Sequence, residues 1–306
     1  KITITNSIDT IGVSPSPNFT AVNSGAQIDA AEIVSVLNGN TSVVINTGSG
    51  GTEPGDITVT NANLAAAPTL PVSLTLQAAR NIRVTNGSVI SSSGSPLSVN
   101  LQAASSGIGT VSIESGVVIN TAGGNFLASG VGFGFVEGPF FYGYGVQVYG
   151  ATLTTGTGNI TLNGTTTASA ADAANIGVGV GFSTVSGRDI LINGTSTAAT
   201  TDPFAYGVDI GSSSIPASRS LQISGTSSGT GVYFNDSTLA VTPATANPAA
   251  FLSINGTSTW TDATSTFFYN SGIEGGSGYG GALVASNGAT IDLFGANGGF
   301  GAPALN

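Results

Sequence analysis

Alternating apolar and polar residues recur at a nearly constant interval through the second half of the chain. Five similar segments have as their first apolar residue Ile160, Ile190, Leu221, Leu252 and Ile291. Successive segments are 30, 31, 31 and 39 residues apart. Alternation with a period of two predicts β-strands with one buried face, and a repeat interval of roughly 20–50 residues is typical of a solenoid.

A second, shorter element with the same alternation stands before each later copy of the first. Its five copies begin at Gly145, Gly177, Gly207, Gly231 and Gly272. Asn-Gly, Gly-Asn, Ser-Gly and Pro separate the two elements and predict turns. Strands that recur once per coil stack about 4.8 Å apart in long parallel sheets. The pattern therefore predicts an all-β fold, a parallel β-helix with coils of about 25–31 residues, and crossover geometry favours the right-handed form.

The first half of the chain follows the same pattern less strictly. Leu74-Thr-Leu-Gln-Ala and Val99-Asn-Leu-Gln-Ala are 25 residues apart. One short helix is predicted near 30–37, packed on the side of the solenoid, because Asp29 can cap its start and Gly39 can end it. We expect a single domain over 1–306, with irregular coils over 1–130 and regular repeats over 145–298. A β-sandwich or barrel is the alternative fold, but neither needs near-identical coils.

Composition excludes several classes of function. The 306 residues contain no His and no Cys, and the only lysine is Lys1. Zinc and haem sites, a Ser-His-Asp triad and P-loop chemistry are therefore not expected, and neither is any cofactor. A net charge of −10 disfavours nucleic acid and anionic membranes, and no apolar run is long enough to insert as a membrane helix. Without His or Cys, we expect the fold to be insensitive to pH between about 6 and 9.

The chain from Ala30 to Gly130 resembles the repeat region of filamentous-haemagglutinin-like bacterial adhesins, which are exported by two-partner secretion. The resemblance lies in segments such as Thr41-Ser-Val-Val-Ile-Asn-Thr, Gly55-Asp-Ile-Thr-Val and Leu74-Thr-Leu-Gln-Ala-Ala-Arg-Asn-Ile. The later Gly158-Asn-Ile-Thr-Leu-Asn-Gly repeats look like the same family's. This resemblance implies a secreted β-helical rod at the bacterial cell surface, an outer-membrane transporter for export, and attachment to cells, glycans or biofilm matrix. The chain is then expected to be an internal fragment of a longer protein.

Two stretches are longer than a coil requires and are rich in aromatic residues, 131–144 and 260–281. Surplus residues are expected to leave the coil as loops, where exposed rings could stack on the apolar faces of sugars. The candidate ligand-binding residues are Phe140, Phe141, Tyr142, Tyr144, Trp260, Phe268, Tyr269 and Tyr279. The alternative is that these rings fill the core. The expected partner is a glycan or a cell-surface or matrix polysaccharide.

Two other functions remain open. The rod could be a structural spacer or fibre, as in an autotransporter-type passenger, without a specific ligand. A β-helical polysaccharide-degrading enzyme would need two or three converging carboxylates, whereas the acidic residues here are widely spaced. The turn from Gly50 to Asp56 places two carboxylates close in sequence and is a candidate for binding calcium. It is a single turn and not part of a calcium-binding repeat, so we still expect no metal site.

Overall fold

The computed structural model describes residues 1–48, 53–105, 107–133, 142–167, 174–197, 205–259, 271–275 and 281–297. In chain order the elements are β1 (Ile2–Thr5), β2 (Asn18–Thr20), β3 (Ala26–Asp29), α1 (Ala30–Asn38), β4 (Val43–Asn46), β5 (Ile57–Thr60), β6 (Asn63–Ala66), β7 (Val72–Gln77), β8 (Ile82–Thr85), β9 (Val89–Ser92), β10 (Leu97–Gln102), β11 (Val111–Ile113), β12 (Val118–Asn120), β13 (Phe126–Phe133), β14 (Tyr142–Tyr149), β15 (Thr152–Thr154), β16 (Ile160–Thr167), β17 (Ala174–Gly181), β18 (Thr184–Thr197), β19 (Tyr206–Gly211), β20 (Ser214–Ser227), β21 (Thr230–Asn235), β22 (Thr238–Val241), β23 (Phe251–Ser258), β24 (Ile273–Gly275), β25 (Ala282–Ala285) and β26 (Thr290–Asn297).

The strands form two parallel sheets that enclose one core on three faces. Face A is a 10-stranded sheet in the order β24-β21-β19-β17-β14-β11-β8-β5-β1-β3. The 16-stranded sheet supplies face B, which runs from β6 through β9, β12 and β15 to β22 and β25, and face C, which runs from β2 to β26. Strands β18 and β20 cross from face B to face C. From β5 onward each coil passes through faces A, B and C in turn, so the fold is the predicted parallel β-helix.

The predicted alignment of the repeats is confirmed residue by residue. Ile160 pairs with Ile190, Ile190 with Leu221, and Leu221 with Leu252. All four side chains are buried and form one apolar column along the axis. Leu252 pairs in turn with Ile291, which belongs to the last coil described and is 40% exposed. The apolar positions of the five segments are thus the inward positions of face C.

Coil length varies through the connections between strands, and it varies most where face C passes into face A. From the register of face A, a coil takes 30 residues between Val178 and Val208 but 41 between Val232 and Ile273. The connection from face C to face A has two residues between β20 and β21 but fourteen between β23 and β24. Strand residues occupy both ends of the predicted loop 131–144, and β24 lies inside the predicted loop 260–281.

The predicted helix is present as α1 and ends at Asn38. The Asp29 side chain caps it by accepting a hydrogen bond from the Ala31 N–H at 3.1 Å. Ile33 and Leu37 are buried. Since β3 lies on face A, β4 lies on face C and α1 packs chiefly on β6, the helix takes the place of a face-B strand in the first coil. It therefore covers the end of the core, and the expectation that it packs on the side of the solenoid is wrong.

Two columns of glycine bring faces A and C together at the corner between them. Gly207 and Gly231 belong to the column on face A, and Gly194 and Gly225 to the column on face C. A Cβ atom on Gly194 would lie closer than 3.0 Å to the carbonyl oxygen of Gly207, and one on Gly225 equally close to that of Gly231. These positions accept no side chain because the obstacle is backbone.

The corner between faces A and B turns on residues with positive φ. In the seven coils where this corner is described, these residues are Asn61, Asn86 with Gly87, Gly116, Gly150, Phe182, Ser212 and Asp236. Buried serines follow several of these positions and connect the coils: the Ser183 N–H donates to Ser213 Oγ, and the Ser213 N–H to Ser237 Oγ, each at 3.1 Å. Glycine and short polar residues suit such a turn; the Phe182 ring does not.

Candidate functional site

A groove with a volume of about 640 Å³ lies on the outer surface of face A. It crosses the coils to which β5, β8, β11 and β14 belong. The outward residues Thr58, Arg83, Ser112 and Gln147 stack in register along its floor, and the Ser112 hydroxyl donates to Gln147 Oε1 at 3.2 Å. This volume is within the range of small-ligand sites, roughly 300–1,000 Å³.

Two arginine–carboxylate pairs fix the polar groups of the groove. Arg80 donates from Nε and Nη2 to the two carboxylate oxygens of Asp56, at 2.8 and 2.6 Å. Arg83 binds both oxygens of Glu114 in the next coil. Thr85 also donates to Glu114, at 2.6 Å. Bidentate pairing holds each guanidinium plane in one orientation, while the arginine side chains remain 44% and 57% exposed.

Asp56 is held in its ionised form. Burial alone would raise the pKa of this carboxyl, but hydrogen bonds from Arg80 and from the Asn81 N–H outweigh that effect and lower the pKa below its usual value. Asp56 is therefore an anionic hydrogen-bond acceptor at neutral pH. A residue in this state is suited to bind and orient hydroxyl groups, but not to donate a proton as a general acid.

Tyr144 lies at the edge of the groove and is half-buried. Its ring lies over Gly179 in the next coil, where any Cβ atom would collide with it. The backbone beneath the ring is connected to the groove, because the Thr110 hydroxyl donates to the Tyr144 carbonyl at 2.7 Å. The Thr110 N–H in turn donates to Asn81 Oδ1 at 2.9 Å. Tyr144 and a row of oriented donors and acceptors therefore line the same groove.

Most of the chain's positive charge is concentrated at this groove. Lys1, Arg80 and Arg83 line it and are three of the five basic residues in a chain of net charge −10. The other two, Arg188 and Arg219, both bind Asp189. That carboxyl also accepts from Ser220 at 2.7 Å. The Asp189 carboxylate is thus fully engaged in ion pairs and hydrogen bonds and is not available as a general acid or base. The groove, by contrast, is lined by cationic, anionic and aromatic side chains.

Among the residues predicted from the sequence, the structure brings Tyr144 to the groove. Tyr142 lies two residues earlier in β14, where its backbone pairs with Ala174. The remaining six lie outside the described residues: Phe140, Phe141, Trp260, Phe268, Tyr269 and Tyr279. Whether these six rings bind a ligand or fill the core therefore stays a prediction.

Sequence reasoning misses Asp56, Arg80, Arg83 and Glu114 as members of one site. The sequence pairs Asp56 with Glu53 as a lone candidate for calcium, but the structure gives them different partners. The Glu53 carboxylate accepts from the Gly25 N–H at 2.9 Å, and Asp56 binds Arg80. Coil spacing aligns one part of the site, since Thr58 and Arg83 are 25 residues apart and occupy the same position on face A, but the later coils of the groove differ in length.

A second titratable feature of face A lies two coils beyond the groove. Asp209 is paired with Gly179 on one side and Tyr233 on the other, and the Tyr233 ring is 5.4 Å from that of Tyr206. Loss of hydration raises the pKa of Asp209 to about 7. The absence of His and Cys is thus an insufficient reason to expect no titration between pH 6 and 9.

This pKa predicts that folding stability decreases as the pH rises from about 4 to 7. Over that interval Asp209 is ionised in the unfolded chain but keeps its proton in the folded chain. The free energy of unfolding therefore falls by about 1.4 kcal/mol per pH unit, and by at most about 4 kcal/mol in total. Above about pH 7 the loss is complete. Burial also raises the pKa of Glu274, which acts in the same direction.

Chemical denaturation of the wild type at several pH values tests this prediction. Asp209→Asn should flatten the decrease in stability. A wild-type stability that is constant between pH 5 and 7 would show that Asp209 ionises normally in the folded protein.

Within the described ranges, no three acidic side chains lie close enough together to hold a metal ion. No helix in the same part of the chain has the length and hydropathy to cross a membrane. Comparison of the sequence with protein-family models and with curated proteins, and of the chain with solved structures, found no match.

Proposed function

We propose that this protein is a non-enzymatic adhesin of the bacterial cell surface whose face-A groove binds a glycan. The observation that carries the proposal is the composition of the groove, which is lined by Tyr144 and by carboxylates and guanidiniums held in fixed orientations. A few oriented polar groups beside an aromatic ring suit a sugar, because its hydroxyls need donors and acceptors and its ring presents an apolar face.

Three further considerations support this function over the alternatives. The resemblance of residues 30–130 to filamentous-haemagglutinin-like repeats implies a secreted rod, exported through an outer-membrane transporter, that attaches to cells or matrix. Asp56 is held ionised by Arg80, which disfavours a role as the general acid of a polysaccharide-degrading enzyme. A spacer without a ligand has no need to collect three of five basic residues at one groove.

The test is a glycan array probed with the wild type, followed by titration of the best ligand into variants. We expect selective binding that free ligand competes away, and a loss of affinity of about tenfold or more in Arg83→Ala, since charged hydrogen bonds contribute about 1.5–3 kcal/mol. Arg219→Ala is the matched control, because it removes a similarly exposed arginine from an ion pair on another part of the rod.

The two negative outcomes have different meanings. A wild type that binds no glycan selectively would favour the structural spacer. Selective binding that Arg83→Ala leaves unchanged would place the ligand elsewhere on the rod and remove the groove from the proposal. New reducing ends or unsaturated products from an added polysaccharide would instead reveal an enzyme.

A further inference from the structure

Phe182 occupies a backbone conformation that bulky residues avoid. Its φ is +51°, and its side chain is 64% exposed. A non-glycine residue in the left-handed region is strained, and for a large ring it is a true outlier. The equivalent corner positions in other coils are held by Asn, Gly, Ser or Asp. Burial does not offset the strain at Phe182, so packing within the rod does not account for a ring at this corner.

A second exposed ring lies beside it. The Tyr149 side chain, one coil earlier, is 47% exposed, and its ring centroid is 5.4 Å from that of Phe182 at an interplanar angle of 69°. A Cβ atom on Gly181 would come within 2.9 Å of the Tyr149 ring, so the glycine leaves room for it. The two rings form an edge-to-face pair that projects from the rod and faces solvent.

Polar groups continue the same corner in the next two coils. Ser212 and Asp236 occupy the turn position that Phe182 occupies, and the Ser212 hydroxyl donates to Asp236 Oδ2 at 3.3 Å. At about 4.8 Å per coil, Phe182 and Asp236 are roughly 10 Å apart along the axis. The corner therefore presents an aromatic pair followed by a hydroxyl and a carboxylate, which we call the aromatic corner (Tyr149, Phe182, Ser212 and Asp236).

We propose that the aromatic corner is a second saccharide site, specific for a neutral oligosaccharide. A pyranose would stack on the exposed rings, and the hydroxyls of the next sugar unit would bond to Ser212 and Asp236. Two rings are too small a surface for a stable protein partner, which buries about 1,200 Å² or more. Asp236 and the net charge of −10 disfavour acidic sugars. This site is separate from the groove and does not depend on glycan binding there.

In the test, the wild type and its variants are titrated with three neutral tetrasaccharides: cellotetraose, chitotetraose and β-1,4-galactotetraose. Saturation-transfer NMR and calorimetry measure the binding. We expect the wild type to bind at least one of them, with magnetisation transferred to the C–H protons of the sugar. Phe182→Asn should weaken that binding by about tenfold or more. The same change should leave the thermal midpoint unchanged or higher, because Asn suits the left-handed conformation as it does at Asn61 and Asn86.

Two control variants test whether the aromatic corner itself binds the sugar. Val118→Thr removes an exposed apolar side chain from face B and should bind as the wild type does. Arg83→Ala should also bind the tetrasaccharide normally, even if it loses the ligand of the groove. The proposal is overturned if no tetrasaccharide binds the wild type, or if Phe182→Asn binds equally well. It is also overturned if Phe182→Asn lowers the thermal midpoint, which would give the ring a structural role. If the wild type proves to self-associate and Phe182→Asn abolishes that association, the rings are an interface between copies and the proposal is overturned as well.

Discussion

Replacing Gly207 with alanine is expected to destabilise the fold by more than about 3 kcal/mol. The added Cβ atom would lie closer than 3.0 Å to the Thr226 backbone nitrogen and to the Gly231 carbonyl oxygen. Both obstacles are backbone atoms of neighbouring strands, so relief would require faces A and C to separate at that coil. Overpacking of a well-packed site costs about 1–3 kcal/mol, and more where nothing can yield. Chemical denaturation followed by circular dichroism measures the loss.

Gly211→Ala is the matched control in the same strand. The nearest atom to its added Cβ would be the Asn235 side-chain oxygen, at 3.1 Å, which can move. We expect a change of less than about 1 kcal/mol, within the range usual for a surface substitution. If both glycine variants lost stability equally, the loss would come from replacing any glycine in a strand, and not from the close approach of faces A and C.

Ile190→Ala is expected to cost about 2–5 kcal/mol through the cavity it creates. Ile190 is 1% exposed and lies between Ile160 and Leu221 in the apolar column of face C. Removing its side chain leaves both neighbours without a contact along the axis, and the backbone of a stacked coil has little freedom to collapse into the space.

The adjacent Leu191 provides the control because it points outward from the same strand. Its side chain is half-buried, and Leu191→Ala should cost about 1 kcal/mol or less. A larger loss for Leu191→Ala than for Ile190→Ala would contradict the inward and outward assignment of the whole column, since a shift of one residue exchanges the two faces.

The sequence predicts the fold well where coils are near copies of one another. The column from Ile160 to Leu252 can be aligned because alternation and repeat spacing both point to the same inward positions. The helix is predicted from its cap, but its place at the end of the core depends on which strand the chain omits in the first coil. No local signal in the residues of α1 carries that information.

The groove could not be predicted because its parts belong to coils of unequal length. The face-A register advances 25 residues from Ile57 to Ile82 and 35 from Val111 to Val146. Without identical repeats, nothing in the sequence aligns Arg83 with Glu114 or places Tyr144 beside them. The raised pKa of Asp209 was hidden for a related reason, because it results from burial on an outward position. Composition counts titratable groups but does not locate them.

The hydrogen bonds between coils on all three faces run along the axis of the rod, and this direction governs how it would respond to force. Tension applied along the axis would peel one coil from the next, since the strands of each coil in the described part of the chain pair with those of the neighbouring coils. A coil of 30 residues, such as that from Val178 to Val208, would release about 100 Å of extended chain in place of about 5 Å of rod. The rod would therefore lengthen in steps under tension while the remaining coils stay folded.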